Sequence, residues 1–217
     1  MNPGVISNII MIVLVILILT GWGAKTLRDG HLSPKLAACG LILYVFCSGL
    51  NFAGPLDGRW NFGGTLFPVL LTLWSLTIFQ NWQHRLQYLL GVLTVSVALL
   101  VLLTLVPLDP AFFILDPDLL YPFTAVIISV LSVKRPFVAL SIACVGLMIS
   151  GSVDPILHRA FQMDGIVFGG GEIRDMLALT GAGVLAVHGF YHTGANYVQS
   201  MVKGWRERRS EGGPEHA

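Results

Sequence analysis

Apolar residues fall into seven runs, near Ile6 to Trp22, Lys35 to Leu50, Thr65 to Phe79, Leu86 to Leu105, Leu119 to Val133, Phe137 to Ser152 and Met176 to Tyr197. Each approaches the roughly 20 residues that carry an α-helix across a hydrocarbon core of ~30 Å. The pattern predicts an all-α, polytopic transmembrane helical bundle of about seven spans, one domain over residues 1–206, followed by a disordered polar tail over 207–217. Only Lys134, Arg135 and Pro136 separate the fifth and sixth runs, a tight helical hairpin whose proline cannot continue the preceding helix. A six-span alternative makes one of these two short runs re-entrant.

Composition narrows the class. The chain of 217 residues is 54% hydrophobic and 12% charged, against roughly 25% charged in soluble domains. Mean hydropathy is +0.75. A net charge of +1, with no basic stretch outside short loops and the tail, excludes disorder and nucleic-acid binding. Cys39, Cys47 and Cys144 sit inside apolar runs with no His or Cys at ligand spacing, so they read as packing residues and not as a disulfide or zinc framework. The lipid bilayer is the expected partner, with a small solute or ion as a candidate second one and no cofactor implied.

Charge placement sets the orientation, because Lys and Arg bias cytoplasmic loops. Lys25, Arg28, Lys35, Arg85, Lys134, Arg135, Lys203, Arg206, Arg208 and Arg209 fall on one side of a seven-span arrangement. The other side holds Arg59, Arg159 and Arg174 and most of the acidic residues. The N-terminus is therefore expected outside and the C-terminus in the cytoplasm. The first run lacks the preceding positive charge of a cleaved signal and reads as an uncleaved anchor.

Two exported loops carry the unusual residues. In the first, Asn51-Phe52-Ala53-Gly54 is echoed after ten residues by Asn61-Phe62-Gly63-Gly64. Glycine permits bends and close backbone approach, and asparagine bonds its own backbone or a ligand. The second loop passes Asp154, His158, Arg159 and Asp164, then Gly169-Gly170-Gly171-Glu172-Ile173-Arg174-Asp175, and enters the seventh span. Successive glycines before a helix start form an anion nest in favourable cases, though the Walker lysine is missing.

Asn61, Asp154, Glu172, Arg174 and Asp175 are thus the candidate polar or ion site, with Gly63, Gly64, Gly169, Gly170 and Gly171 as its backbone. Ionisable residues at the membrane boundary are functional candidates by default, and Arg174 or Arg159 is the expected partner of the two aspartates. Asp154, His158, Asp164, Glu172 and Asp175 also offer oxygen and nitrogen donors for a divalent cation, without a recognised ligand motif. A paired-aspartate protease would need both carboxylates deep in the bilayer and a Gly-x-Gly-Asp signature that is absent. His188 and His192, four residues apart, are a candidate proton relay or an interhelical hydrogen-bonding pair.

Seven spans with an external N-terminus also match rhodopsin-like and sugar-channel topologies. The seventh run has no lysine for a retinal Schiff base. The second topology needs two parallel three-helix repeats, and spans one to three and five to seven do share orientation and a glycine-rich loop. Small residues, Gly146, Ser150 and Ser152 in the sixth run and Gly181, Ala182, Gly183, Ala186 and Gly189 in the seventh, predict close packing of those two spans.

Asn61-Phe62-Gly63-Gly64 leading into Thr65-Leu66-Phe67-Pro68, with the later Gly151-Ser152-Val153-Asp154 and Phe168-Gly169-Gly170-Gly171-Glu172-Ile173-Arg174-Asp175, resembles the YphA-like membrane proteins of spore-forming Firmicutes. The resemblance implies a bacterial cytoplasmic-membrane location and transfers no catalytic assignment.

The expectation is a multi-pass cell-membrane protein, non-catalytic, transporter-like or ion-binding at its outer loops. The alternatives are a structural or partner-binding membrane component and, second, an intramembrane enzyme or metalloenzyme. A water-open cavity between the loops would favour transport, and loops closed over a packed bundle the structural role.

Overall fold

A computed structural model describes residues 3–21, 27–28, 33–54, 58–79, 81–106, 108, 116–157 and 167–211, without the side chains of 154, 155, 157 and 192–211. Among them are seven α-helices: α1 (Val5–Leu19), α2 (Pro34–Cys47), α3 (Phe67–Ile78), α4 (Trp82–Leu105), α5 (Pro117–Ser132), α6 (Pro136–Leu157) and α7 (Gly171–Glu211). Each lies on one of the seven apolar runs. Two segments, Trp82–Leu105 and Pro136–Val153, are long and apolar enough to cross a membrane by length and composition alone. Helix α7 continues well past Tyr197 and five residues into the segment read as tail, whose residues 212–217 lie outside the described ones.

Local chemistry explains the helix ends. Ser33 caps α2 by accepting from Leu36 N at 3.2 Å, with Pro34 in the first turn. Asp116 caps α5 in the same way through Asp118 N. Gly21, at φ 86°, closes the C-terminus of α1, where a left-handed residue returns N–H groups to the last free carbonyls. Extended Val133 ends α5 and Pro136 opens α6, so the hairpin read from Lys134, Arg135 and Pro136 is present. Gln87 Nε2 donates to Ser132 O, and the Arg85 guanidinium donates to Phe79 O, giving the ends of α5 and α3 acceptable partners.

Helix α6 is the hub, packed by α3, α4, α5 and α7, and every residue from Val138 to Leu147 is buried. Tyr88 OH and Ser141 Oγ, 2.9 Å apart, fasten α4 to α6 inside this core. A second, smaller cluster of Met11, Tyr44 and Ala178 joins α1 and α2 to α7. The outward faces are also apolar. On α4, Leu86, Leu89, Leu90, Leu93, Val97 and Val101 are exposed at helical spacing, while Tyr88, Val92, Val95 and Leu99 face inward. A helix apolar all round, with one face open, is built for lipid and not for water.

One expectation is corrected and two are refined. The fold is not purely helical: β1 (Asn51–Ala53), β2 (Arg59–Asn61) and β3 (Val167–Phe168) form a small sheet in the order β1-β2-β3. The halves do not pair alike, since α5 packs along α7 whereas α1 and α3 have at most a marginal contact; the parallel-repeat idea loses its support. Spans six and seven do pack together, but their small residues serve several neighbours. Gly146 admits Val95 of α4, Gly183 admits Val126 of α5, and a Cβ on Gly189 would meet nothing within 4 Å.

Candidate functional site

The repeated Asn-Phe-x-Gly motif is a hairpin seen from its ends. β1 and β2 pair antiparallel with Asn51 opposite Asn61, and Asn61 Nδ2 donates to Asn51 Oδ1 at 2.9 Å. The same amide donates to Ser48 O at 2.9 Å, while its oxygen accepts from Gly63 N at 3.0 Å and Gly64 N at 3.2 Å. Asn61 therefore uses both donors and its acceptor to start a single π-type turn (Phe62–Leu66) that leads into α3. Asp or Leu at this position could not reproduce that set.

The second glycine-rich loop adds β3 parallel to β2, pairing Arg59 with Val167 and Trp60 with Phe168. The Trp60 and Phe168 rings stack at 4.6 Å between centroids. At Gly64 the backbones nearly touch: a Cβ there would stand 2.2 Å from Gly169 O. Gly169 itself takes φ +68°, a left-handed conformation that costs a side-chain-bearing residue. The glycines read as a nest seat backbone against backbone. Gly170 O accepts the Arg174 N–H that opens α7, and a Cβ on Gly171 would meet the Pro3 backbone at 2.6 Å.

Asp175 has a role that spacing did not reveal. Helix α1 has Gly4 at its N-cap, a residue with no side chain to cap it. Asp175 supplies the cap from α7, Oδ2 accepting from Gly4 N at 2.7 Å and Oδ1 from Ser7 N at 2.6 Å. One carboxylate thus serves the two amides that a capping box serves with two side chains. It also stands in the first turns of α7, so two positive helix ends face a single negative charge.

Arg174, next in the chain, is not its partner. The guanidinium Nη1 donates to Ser48 O at 2.7 Å, the carbonyl that Asn61 also uses, and Nε has no hydrogen-bond partner. No carboxylate among the described residues lies within ion-pairing distance of it. Arg174 also packs against Gly4 and Gly63, so α1, α2, the π-type turn and α7 meet around this cation.

Of the other candidates, Glu172 is exposed. Asp154 lies within α6, but its side chain, like that of His192, is outside the described residues, as are His158, Arg159 and Asp164 altogether. His188 Nδ1 is 3.1 Å from Val184 O of its own helix, an intrahelical contact where an interhelical one was expected. No three His, Cys, Asp or Glu side chains converge among the described residues. Sequence reasoning missed Ser7, Asn8, Tyr44 and Ser48. Ser48 Oγ donates to Asn8 Oδ1 at 3.2 Å, tying α2 to α1. Their signal was available, since polar residues near span ends are candidates for interhelical bonding.

The model of a family described as YphA-like integral membrane protein matches residues 34–211, most of the chain. The protein belongs to this family and is an integral membrane protein. No curated protein and no solved structure matches it.

Proposed function

We propose that this protein is a seven-span component of the bacterial cytoplasmic membrane, N-terminus outside and C-terminus in the cytoplasm, that works by binding and not by catalysis. Its outer face is a closed clasp. One observation carries the reading: strands from the two glycine-rich loops form one sheet, and behind it Asn61 and Asp175 spend their hydrogen bonds on backbone groups and Asn51 within the bundle. Loops fastened in this way favour a structural or partner-binding component over an open transport path. Helices α1, α2, α3 and α5 are shorter than α4, and their apolar outward faces support a membrane-crossing role with flanking turns completing the span.

A second reading, ion or solute binding of a transporter-like kind, has its own support in Arg174, a half-buried cation without a counter-ion among the described residues. Both readings share one orientation. In intact cells, with the three native cysteines replaced, a membrane-impermeant maleimide should label Phe52→Cys and Val167→Cys, and should label Lys134→Cys only after permeabilisation. The reverse labelling would overturn the orientation. Rapid labelling of Ser48→Cys, a buried position whose volume the change nearly preserves, alongside Phe52→Cys would overturn the closed clasp in favour of an open path.

A further inference from the structure

We propose that the C-terminal part of α7 is a docking helix for a cytoplasmic protein that offers an apolar helix edged by carboxylates. This deepens the partner-binding reading and rests on its cytoplasmic C-terminus. The feature that carries it is an apolar stripe that runs past the end of the bundle between two sets of basic residues. Within the bundle Leu177, Thr180 and Val184 follow one face of α7 and are 2%, 0% and 0% exposed. Val187 and Tyr191 continue that face at helical spacing and are 42% and 77% exposed. The neighbouring helix ends at this level. Gly183 seats Val126 of α5, and α5 stops at Ser132, about two turns further on. Helix α7 continues to Glu211, roughly 30 Å beyond Tyr191.

Along this extension the face stays apolar, with Ala195, Val198, Met201, Val202 and Trp205, while His192, Asn196, Ser200, Lys203 and Glu207 fall on the opposite one. An apolar stripe on a helix clear of its bundle is a surface for another helix. Its placement selects the occupant. Gly183 against Val126 and Gly181 against Leu140 turn this face toward the α5–α6 hairpin, whose Lys134 and Arg135 are exposed at the foot of the stripe. Two copies pressed stripe to stripe in one membrane would therefore set both hairpins in the same place. Lys203, Arg206, Arg208 and Arg209 gather at the far end, so positive charge stands at both ends of the stripe. A partner that matches it carries acidic residues beside its apolar face. The inner leaflet is negative too, but along an unbroken helix these four residues lie about 18–27 Å past Tyr191, beyond a headgroup layer of ~5–8 Å and a Debye length of ~8 Å.

The test uses the full chain, its three native cysteines replaced, in zwitterionic nanodiscs holding one chain each, with a polarity-sensitive dye on Gln199→Cys at the border of the stripe. A helical peptide with a leucine stripe edged by glutamates should shift the dye saturably. The same peptide with lysines for the glutamates should bind about tenfold more weakly, the equivalent of two surface ion pairs. Arg206→Glu, Arg208→Glu and Arg209→Glu together should invert that preference. Val198→Ser with Trp205→Ser should weaken both peptides and leave the thermal midpoint unchanged, since these positions lie past the packed core. No saturable shift, equal binding of the two peptides, a larger shift from anionic vesicles than from the glutamate peptide, or a shift that needs two chains per disc would each overturn the assignment. Orientation is read separately: Ser200→Cys should react with a membrane-impermeant maleimide only in permeabilised cells. Reaction in intact cells would overturn the orientation, and with it a cytoplasmic partner, whatever the peptides do.

Discussion

Asp175→Asn isolates the cap that α7 lends to α1. The native carboxylate accepts two short bonds, from Gly4 N at 2.7 Å and Ser7 N at 2.6 Å. An asparagine keeps one accepting oxygen and turns an N–H₂ group toward the other amide. One bond is lost, and the survivor changes from charge-assisted to neutral. Bonds to charged groups contribute about 1.5–3 kcal/mol and neutral ones about 1 kcal/mol, so the loss is about 2–5 kcal/mol. Both bonds are only part-buried, which favours the lower half of that range. At roughly 2–4 °C per kcal/mol for a chain of this size, the midpoint in detergent should fall by roughly 4–14 °C. Amide exchange at the first turn of α1 should rise more than exchange in α6. The control is Glu172→Gln, three residues away and exposed, where a surface change is worth about 0.5 kcal/mol or less. Equal midpoints for the two variants would refute the capping argument.

Gly64→Ala places a methyl 2.2 Å from Gly169 O and should destabilise by about 1–3 kcal/mol or more, whereas Gly170→Ala, whose Cβ would meet only Val167 at 3.7 Å, should cost less in the same thermal assay. Asn61→Asp exchanges a donor for a second acceptor against Ser48 O and Asn51 Oδ1; it should lower the midpoint more than Asn51→Ala, and an equal effect would remove Asn61 from the centre of the loop. A double-mutant cycle on Tyr88→Phe and Ser141→Ala should return a coupling of about 0.6 kcal/mol, the usual size of an interhelical hydrogen bond in a membrane protein, and additive single effects would contradict the contact.

The helices were legible because an apolar run long enough for a bilayer has one regular solution, with every backbone group satisfied internally. Caps written locally were also legible or explicable: Ser33 before Pro34, and Pro136 opening α6. The loop end was legible as residue types and not as partners. Asp175 bonds residues 171 and 168 positions away, and no periodicity encodes such a pairing. The echo of Asn51 in Asn61 marked a hairpin, but the parallel addition of β3 joins chain segments more than 100 residues apart. Gly146 looked like a seat for the seventh span because small residues report close approach without saying of what; the neighbour is Val95.

The clasp itself is tested most directly by disulfide trapping across its two loops. With the three native cysteines replaced, Arg59→Cys and Val167→Cys occupy partner positions on β2 and β3, a separation within the Cα range that a disulfide bridges. In intact cells treated with a membrane-impermeant oxidant, the account predicts rapid, near-complete intramolecular crosslinking of this pair and none for Arg59→Cys with Lys134→Cys. Failure of the strand pair to crosslink in folded protein, or crosslinking only after the membrane is permeabilised, would contradict it.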